Sequence, residues 1–224
     1  MSRLFVRIAV LATAAAALAG CTTDTSMVTD AFKFNFGAPA ADSAKLNPDL
    51  VYMRVTNGKS VALMVLGYVD AAPEAGTEVW YSAAKEKINL WRGRVAGTAG
   101  LSTDWRAVQF ADVPTWKSAL SAPASYRRQR DVMPGYAVGV REQVLIRAVP
   151  PPASSRLVGM RPDALQWFEE TAAPEGRAST VPAARYAVDL SGAQERVVYS
   201  EQCLTPTLCL TFQAWPAPAG ASRS

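Results

Sequence analysis

Three cysteines, Cys21, Cys203 and Cys209, are the soft nucleophiles of this 224-residue chain, and it contains no histidine at all. Without histidine the commonest general base and the commonest metal ligand are both missing, and with them Ser-His-Asp and Cys-His catalysis. A cysteine-only zinc site needs four thiolates, one more than the chain has. Cys203 and Cys209 stand six apart in "YSEQCLTPTLCLTF", with Pro206 between them. That spacing is wider than the Cys-x-x-Cys of redox pairs. Metal ligand, thiol exchanger and covalent staple are the three uses to separate, and the compartment decides among them. Among the carboxylates, a glycoside hydrolase needs two set about 5–9.5 Å apart across a sugar. Glu169 and Glu170 are adjacent, which on a strand sends them to opposite faces. Asp104 and Asp112 are not brought together by any readable element.

Aromatic and basic side chains offer binding rather than catalysis. Trp80, Trp91, Trp105, Trp116, Trp167 and Trp215 have faces able to stack on sugars, and equally large apolar surfaces to pack a sheet. Core packing is the default for each. Trp91 is the one placed for contact with a polymer or partner, because it adjoins a predicted turn and stands next to Arg92 and Arg94. In "YRRQR", Arg128 and Arg130 share one strand face and Arg127 takes the other. Such a face would meet an acidic polysaccharide or anionic headgroups. A charged edge strand that resists sheet-to-sheet pairing explains the same residues, and is the preferred reading.

The amino terminus settles the compartment. "MSRLFVRIAVLATAAAALAGC" has a basic start, a short apolar run and small residues, the order of a secretory signal. The run is shorter than the ~18 residues of a spanning helix. Leu18 to Cys21, "LAGC", looks like a lipobox. Residues 1–20 then form the signal peptide, and Cys21 becomes the acylated first residue of the mature chain. Two or more acyl chains make a stable anchor where one does not. Thr22 rather than Asp follows, which by resemblance to lipoprotein sorting points to the outer membrane, facing the periplasm. With Cys21 lipidated, Cys203 and Cys209 are the remaining pair in an oxidising space where disulfides persist. Strands flank them and Pro206 sits in the turn, so a disulfide across a hairpin is expected. Its loop closure contributes about 2.5 kcal/mol in the chain-entropy model.

The formal charge of +4 also needs correcting for the signal. Residues 1–20 hold two arginines and no acid, leaving 21 basic against 19 acidic residues, or +2. No concentrated basic face argues for nucleic acid. Residues 21–48 read as lipidated terminus and tether, with a short helix over 27–36, or a strand face built from Phe32, Phe34 and Phe36. From Leu50 the pattern is β. "LVYMRVTNGKSVALMVLGYVD" forms a hairpin about Asn57-Gly58, a type I′ signal, whose second arm, Val61 to Val69, is apolar on both faces and so central. Thr77 to Ala83 is a strand, and "EKINLWRGRVAGTAGL" a second hairpin turning at Arg92-Gly93. In "DWRAVQF", Trp105, Ala107 and Gln109 alternate with Arg106, Val108 and Phe110. "DVPTWKSAL" reads as a short helix with Asp112 as cap. "SYRRQRDVM", "AVGVREQVLIRAV", "RYAVDLSG" and "ERVVYSEQCL" are further strands. "DALQWFEETAA" is open between helix and strand. Short strands at regular spacing predict one antiparallel β domain over 49–216, with a tail at 217–224.

Taken in order, "VYMRVTNGKSVALMVLGY", "WRGRVAGTAGL", "RYAVDLSG" and "YSEQ", behind a lipobox and short leader, resemble the group 4 capsule polysaccharide lipoprotein family (YjbF/GfcB). The resemblance runs from about Leu50 to Phe212. It implies a mainly β fold, a large antiparallel meander sheet curved into an open half-barrel with one or two short helices. It implies a non-enzymatic role in capsule or exopolysaccharide assembly or export, through protein partners or polymer contact. No cofactor, metal or catalytic residue is implied. The two late cysteines depart from the family pattern. A lipid or lipoprotein carrier using an apolar concave face is the alternative, and a polysaccharide-processing enzyme is a third reading that the missing histidines oppose.

Overall fold

The computed structural model describes residues 35–37, 41–71, 75–174 and 181–217. Cys21, the signal, Phe32, Phe34 and nearly all of the tail lie outside them. The sequence leaves the segment over 27–36 open between a short helix and a strand face, and its described end, Asn35 and Phe36, lies in a strand, β1 (Asn35–Gly37). The other strands are β2 (Tyr52–Asn57), β3 (Ser60–Asp70), β4 (Thr77–Tyr81), β5 (Lys87–Trp91), β6 (Arg94–Ala99) and β7 (Asp104–Ala111). After helix α1 (Trp116–Ser121) come β8 (Ala124–Met133), β9 (Ala137–Val149), β10 (Gln166–Pro174), β11 (Ala184–Asp189), β12 (Arg196–Cys203) and β13 (Cys209–Trp215). A 3₁₀ turn at Pro162–Ala164 precedes β10. The fold is mainly β, as expected, and the ambiguous "QWFEETAA" is strand.

β2 to β13 form an up-and-down meander bent round on itself. The order in the sheet is β6-β5-β4-β3-β2-β13-β12-β11-β10-β9-β8-β7. Chain neighbours are therefore sheet neighbours everywhere except at β6/β7. The first and last strands of the meander zip together instead, from Leu210↔Asn57 to Trp215↔Tyr52. β1 adds to the free edge at the start of β3, from Asn35↔Ala62 to Gly37↔Ser60. The half-barrel curves until its two end strands meet, and side chains replace the ladder at that seam. Thr98 Oγ1 on β6 donates to Asp104 Oδ1 on β7 (2.9 Å) and accepts from the Trp105 amide (3.0 Å). Asp104 also takes the amides of Gly100 and Leu101. The carboxylate considered for catalysis thus closes the barrel.

Alternation along each strand divides inside from outside. Met53, Val55, Met64, Trp80, Ile88, Leu90, Trp105, Leu210 and Phe212 belong to one interior cluster. Trp116 and Ala119 of α1 pack with Ile146, Phe168, Tyr186 and Val188 in a second. Outside, residues 41–50, of which 41–48 read as tether, cover β2 and β3. Ala41 is fully buried there with Tyr52, Val61 and Leu63, and Asp42 pairs with Arg54 (2.8 Å). The 150–165 connection covers β11 to β13, burying Leu165 and Trp167 against Ala187 and Tyr199.

Several local readings are corrected. The first hairpin pairs Asn57↔Ser60, so its loop is Gly58-Lys59. Positive φ falls on Gly58 (58°) and not on Asn57, the pattern of a type II′ turn. Val61 to Met64 are covered or half-covered, but Tyr68 and Val69 at the far end of β3 are half-exposed. In β7 the register shifts between Arg106 and Gln109, with Ala107 at φ 47°. This bulge reverses the alternation, so Trp105, Val108 and Phe110 all pack in the same interior cluster. Thr115, not Asp112, caps α1, accepting from the Ser118 amide (3.1 Å). Asp112 lies at φ 62° and pairs with Arg127 on the surface.

Candidate functional site

The β5–β6 hairpin is the part of the barrel that reaches inward. Its turn, Arg92-Gly93, has φ 48° and 79°. Gly93 packs so closely on β12 that an added Cβ would stand 2.5 Å from the Val197 side chain. β6 borders the seam and lacks a ladder partner on that side, so its backbone groups need others. Gln202 supplies them. Its Oε1 accepts from the Val95 amide (2.9 Å) and the Tyr186 hydroxyl (3.1 Å), and its Nε2 donates to the Gly93 carbonyl (2.8 Å) and Ser200 Oγ (2.9 Å). The "WRGRV", "RYAVD" and "YSEQ" pieces, far apart in the chain, therefore converge on one interior point.

Arg94 lies at the centre of this convergence, and its side chain is 1% exposed. The expectation that it is available to a polymer or partner is overturned, because the hairpin folds into the barrel and carries it inside. Its Nε donates to Glu170 Oε1 (2.8 Å). Nη2 lies 2.7 Å from the same oxygen but out of line for a hydrogen bond, and neither Nη atom has an acceptor among the described residues. Aromatic faces take that role. The guanidinium carbon is 4.1 Å from the Trp116 ring centroid, 5.4 Å from Tyr126 and 5.7 Å from Tyr186. Burial opposes the charge, yet Glu170 and the tyrosines hold its pKa above the usual arginine value. The Tyr126 hydroxyl donates to Glu170 Oε2 (2.9 Å), and burial together with that carboxylate raises the Tyr126 pKa. Glu169, as its parity predicts, faces outward and pairs with Arg147.

Arg128 and Arg130 do share a face, but it is the inside. β8 pairs with β7 and β9, so it is no edge, and neither the edge reading nor an exposed basic face holds. Both guanidinium groups bond Glu142, at 2.8 Å each, and lie over the Trp105 ring at 4.7 and 4.1 Å. Burial would raise the Glu142 pKa, but the two arginines outweigh it and hold the carboxyl below its usual value.

Trp91 is also buried, 8% exposed, stacked on Phe110 at 5.1 Å with its indole N–H on the Ala75 carbonyl. The stack across the seam removes it from solvent, against the expectation of exposure. Arg92 alone of the predicted contact residues is exposed, lying over the Trp91 ring at 4.7 Å. Trp80, Trp105, Trp116 and Trp167 are buried as core residues. At the other end, Cys203 and Cys209 face each other in register across the last hairpin and their sulfurs are bonded. The loop they hold returns Leu204 and Leu208 to the interior cluster, and the Trp105 indole donates to the Leu204 carbonyl (3.1 Å).

One mouth of the barrel stays open as a cleft of about 720 Å³. Met53, Leu66, Trp80, Leu90 and Phe212 form its floor, and Glu78, Arg92, Thr115, Gln194 and Arg196 stand round its rim. The Trp80 indole donates to Glu78 Oε2 (3.1 Å), and burial raises the Glu78 pKa despite that bond. Glu195 takes the Trp116 and Lys117 amides (3.0 and 2.8 Å), tying α1 across the opening. An apolar floor with a few convergent polar groups is the usual form of a ligand site. No group of three or more metal-ligating side chains occurs among the described residues. The inward charges were not announced: a one-dimensional pattern shows Glu170, Gln202 and Arg94 as polar strand residues. The usable signal was parity for Glu170 and Gln202, which alternate with the interior Phe168 and Leu204. It fails for Arg94, whose immediate neighbour Val95 is also interior because the β5–β6 register shifts beside it.

Comparison with solved structures finds the same architecture in the hypothetical lipoprotein YmcC from Escherichia coli (K12). The match has a TM-score of 0.59 at 14% identity and covers 88% of this chain and 98% of that one. No curated protein matches. The family model described as group 4 capsule polysaccharide lipoprotein gfcB, YjbF matches residues 38–213. That span takes in the barrel from β2 through most of β13 and the convergent hairpin motifs, and the chain belongs to the group 4 capsule polysaccharide lipoprotein family.

Proposed function

We propose that the protein is anchored in the outer membrane by lipid on Cys21, faces the periplasm, and supports assembly or export of a capsule or exopolysaccharide without catalysing a reaction. The observation that carries this is the family match over the barrel, residues 38–213. The interior chemistry supports the non-enzymatic part. Glu170 is held by Arg94 and Tyr126, Glu142 by two arginines, and Asp104 by Thr98 and the seam amides, so each buried acid is committed to structure. The tether confines the domain to the membrane surface and raises its effective concentration near export partners there. The filled interior weighs against a carrier that shelters acyl chains. Deleting the gene and measuring surface polysaccharide tests the proposal: less polymer, or shorter polymer, is expected, and an unchanged amount and length under inducing conditions refutes it.

A further inference from the structure

We infer that the open cleft is a saccharide site and that Arg92 recognises an anionic group, a carboxylate or phosphate, on a sugar residue of an acidic chain. The inference rests on the polymer-contact reading and names its site. Two observations carry it. The first is the kind of cleft. Its floor residues Met53, Trp80, Leu90 and Phe212 are 2–5% exposed and packed in one cluster, so each turns little of its own apolar surface toward a ligand. Its rim alternates a carboxylate (Glu78), a hydroxyl (Thr115), an amide (Gln194) and guanidinium groups (Arg92, Arg196). Sugar hydroxyls need donors and acceptors side by side, and this rim offers both.

The second observation is the cost at which Arg92 is held there. It is the first residue of a turn with positive φ at both central positions, where Asn or Asp before Gly is the favoured pair. A long side chain in the left-handed region is strained, and such strain collects at functional sites. Arg196 is paired with Asp189 (3.1 Å), whereas Arg92 has no carboxylate partner among the described residues. Its guanidinium rests on the Trp91 ring, which orients it and leaves its hydrogen-bond donors free for a planar or tetrahedral oxyanion.

The test uses the full chain in detergent with tetragalacturonate, maltotetraose and palmitate as probes, read by calorimetry and by the fluorescence of the cleft tryptophans. Tetragalacturonate is expected to bind saturably and at least tenfold more tightly than maltotetraose. Arg92→Asn, which suits the turn, is expected to weaken that binding at least tenfold while the melting temperature holds within about 3 °C. Arg127→Ala, on the outer face, is expected to leave it unchanged. The inference is overturned by undiminished binding in Arg92→Asn, by a fall in melting temperature beyond that range, by equal affinity for the neutral tetramer, by palmitate binding alone, or by no saccharide binding. In cells, Arg92→Asn with normal polymer beside a deletion that loses it sinks the cleft but leaves the proposed function standing. A deletion that keeps its polymer sinks the function itself.

Discussion

Glu170→Gln isolates the buried charge at the heart of the barrel. The change conserves volume, so no cavity term enters, and the amide oxygen can still accept from Tyr126. What it removes is the negative charge beside Arg94, whose guanidinium stays ionised in a site where both side chains are 1–2% exposed. Trp116, at 4.1 Å, and the two tyrosines contribute to holding the cation, but they are packed in place already and gain nothing from the substitution. Removing one partner of a buried pair costs about 3–5 kcal/mol, because the other is left uncompensated. For a domain of this size, each kcal/mol lowers Tm by about 2–4 °C, so a fall of roughly 6–20 °C is expected. Urea titration at pH 7 with the disulfide intact, followed by tryptophan fluorescence and by circular dichroism, measures it, provided the two transitions coincide. The double variant Arg94→Met, Glu170→Leu should recover most of the loss, since it deletes both charges together. A loss below about 1 kcal/mol in Glu170→Gln, the range of an exposed pair, would show that the aromatic cage alone carries Arg94 and would refute the reasoning.

Gly93→Ala places a Cβ 2.5 Å from Val197 at a φ of 79°, and should cost about 2–4 kcal/mol. Gly58→Ala meets the φ penalty of 58° with nothing within 4 Å, so its loss should be nearer 1 kcal/mol, and equal melting temperatures would contradict the docking of the hairpin on β12. Glu142 has a depressed pKa in the fold, so its stabilisation is fully present above the unfolded value near 4.5 and is lost as pH falls through the lower folded value. Glu142→Gln should therefore be the less stable protein at neutral pH and converge on the wild type in acid; parallel curves of urea midpoint against pH would count against the pairing. Replacing Cys203 and Cys209 together by serine should lower stability by about 2–2.5 kcal/mol and loosen the Leu204–Leu208 loop. Thiol titration finding two free cysteines in protein isolated from the periplasm would remove the basis for that expectation.

How far the residues announced these features depends on the range of the interaction that decides each one. Both hairpin positions were legible, because Gly58 and Gly93 act within their own turns, although pairing moved the first turn by one residue. The β7 bulge was not legible. Alternation in "DWRAVQF" is a local rule, and the bulge is imposed by matching Arg106 and Gln109 to Asp131 and Gln129 on the neighbouring strand. Arg128 and Arg130 were correctly placed on one face, but their sequence does not say whether that face looks in or out. The compensating acid, Glu142, comes from the next strand and the covering ring, Trp105, from the strand before.

Backbone preferences and neighbours a few residues away were enough to set the β class, the meander of short strands, the punctuation by glycine and proline, and the cysteine pair. The sequence also carried the family resemblance, in four pieces whose meaning was hidden. Tertiary structure decided that those pieces meet. Bending the meander until β2 zips to β13 brings Gly93 to Gln202 and Arg94 to Glu170, residues 109 and 76 positions apart, inside a barrel. The same closure buries Trp91 and Arg94, the residues expected to be exposed, and leaves Arg92 between them at the mouth of the one cleft described at that end. Burial is a property of the closed surface, and a strand pattern read before closure has two faces and no inside.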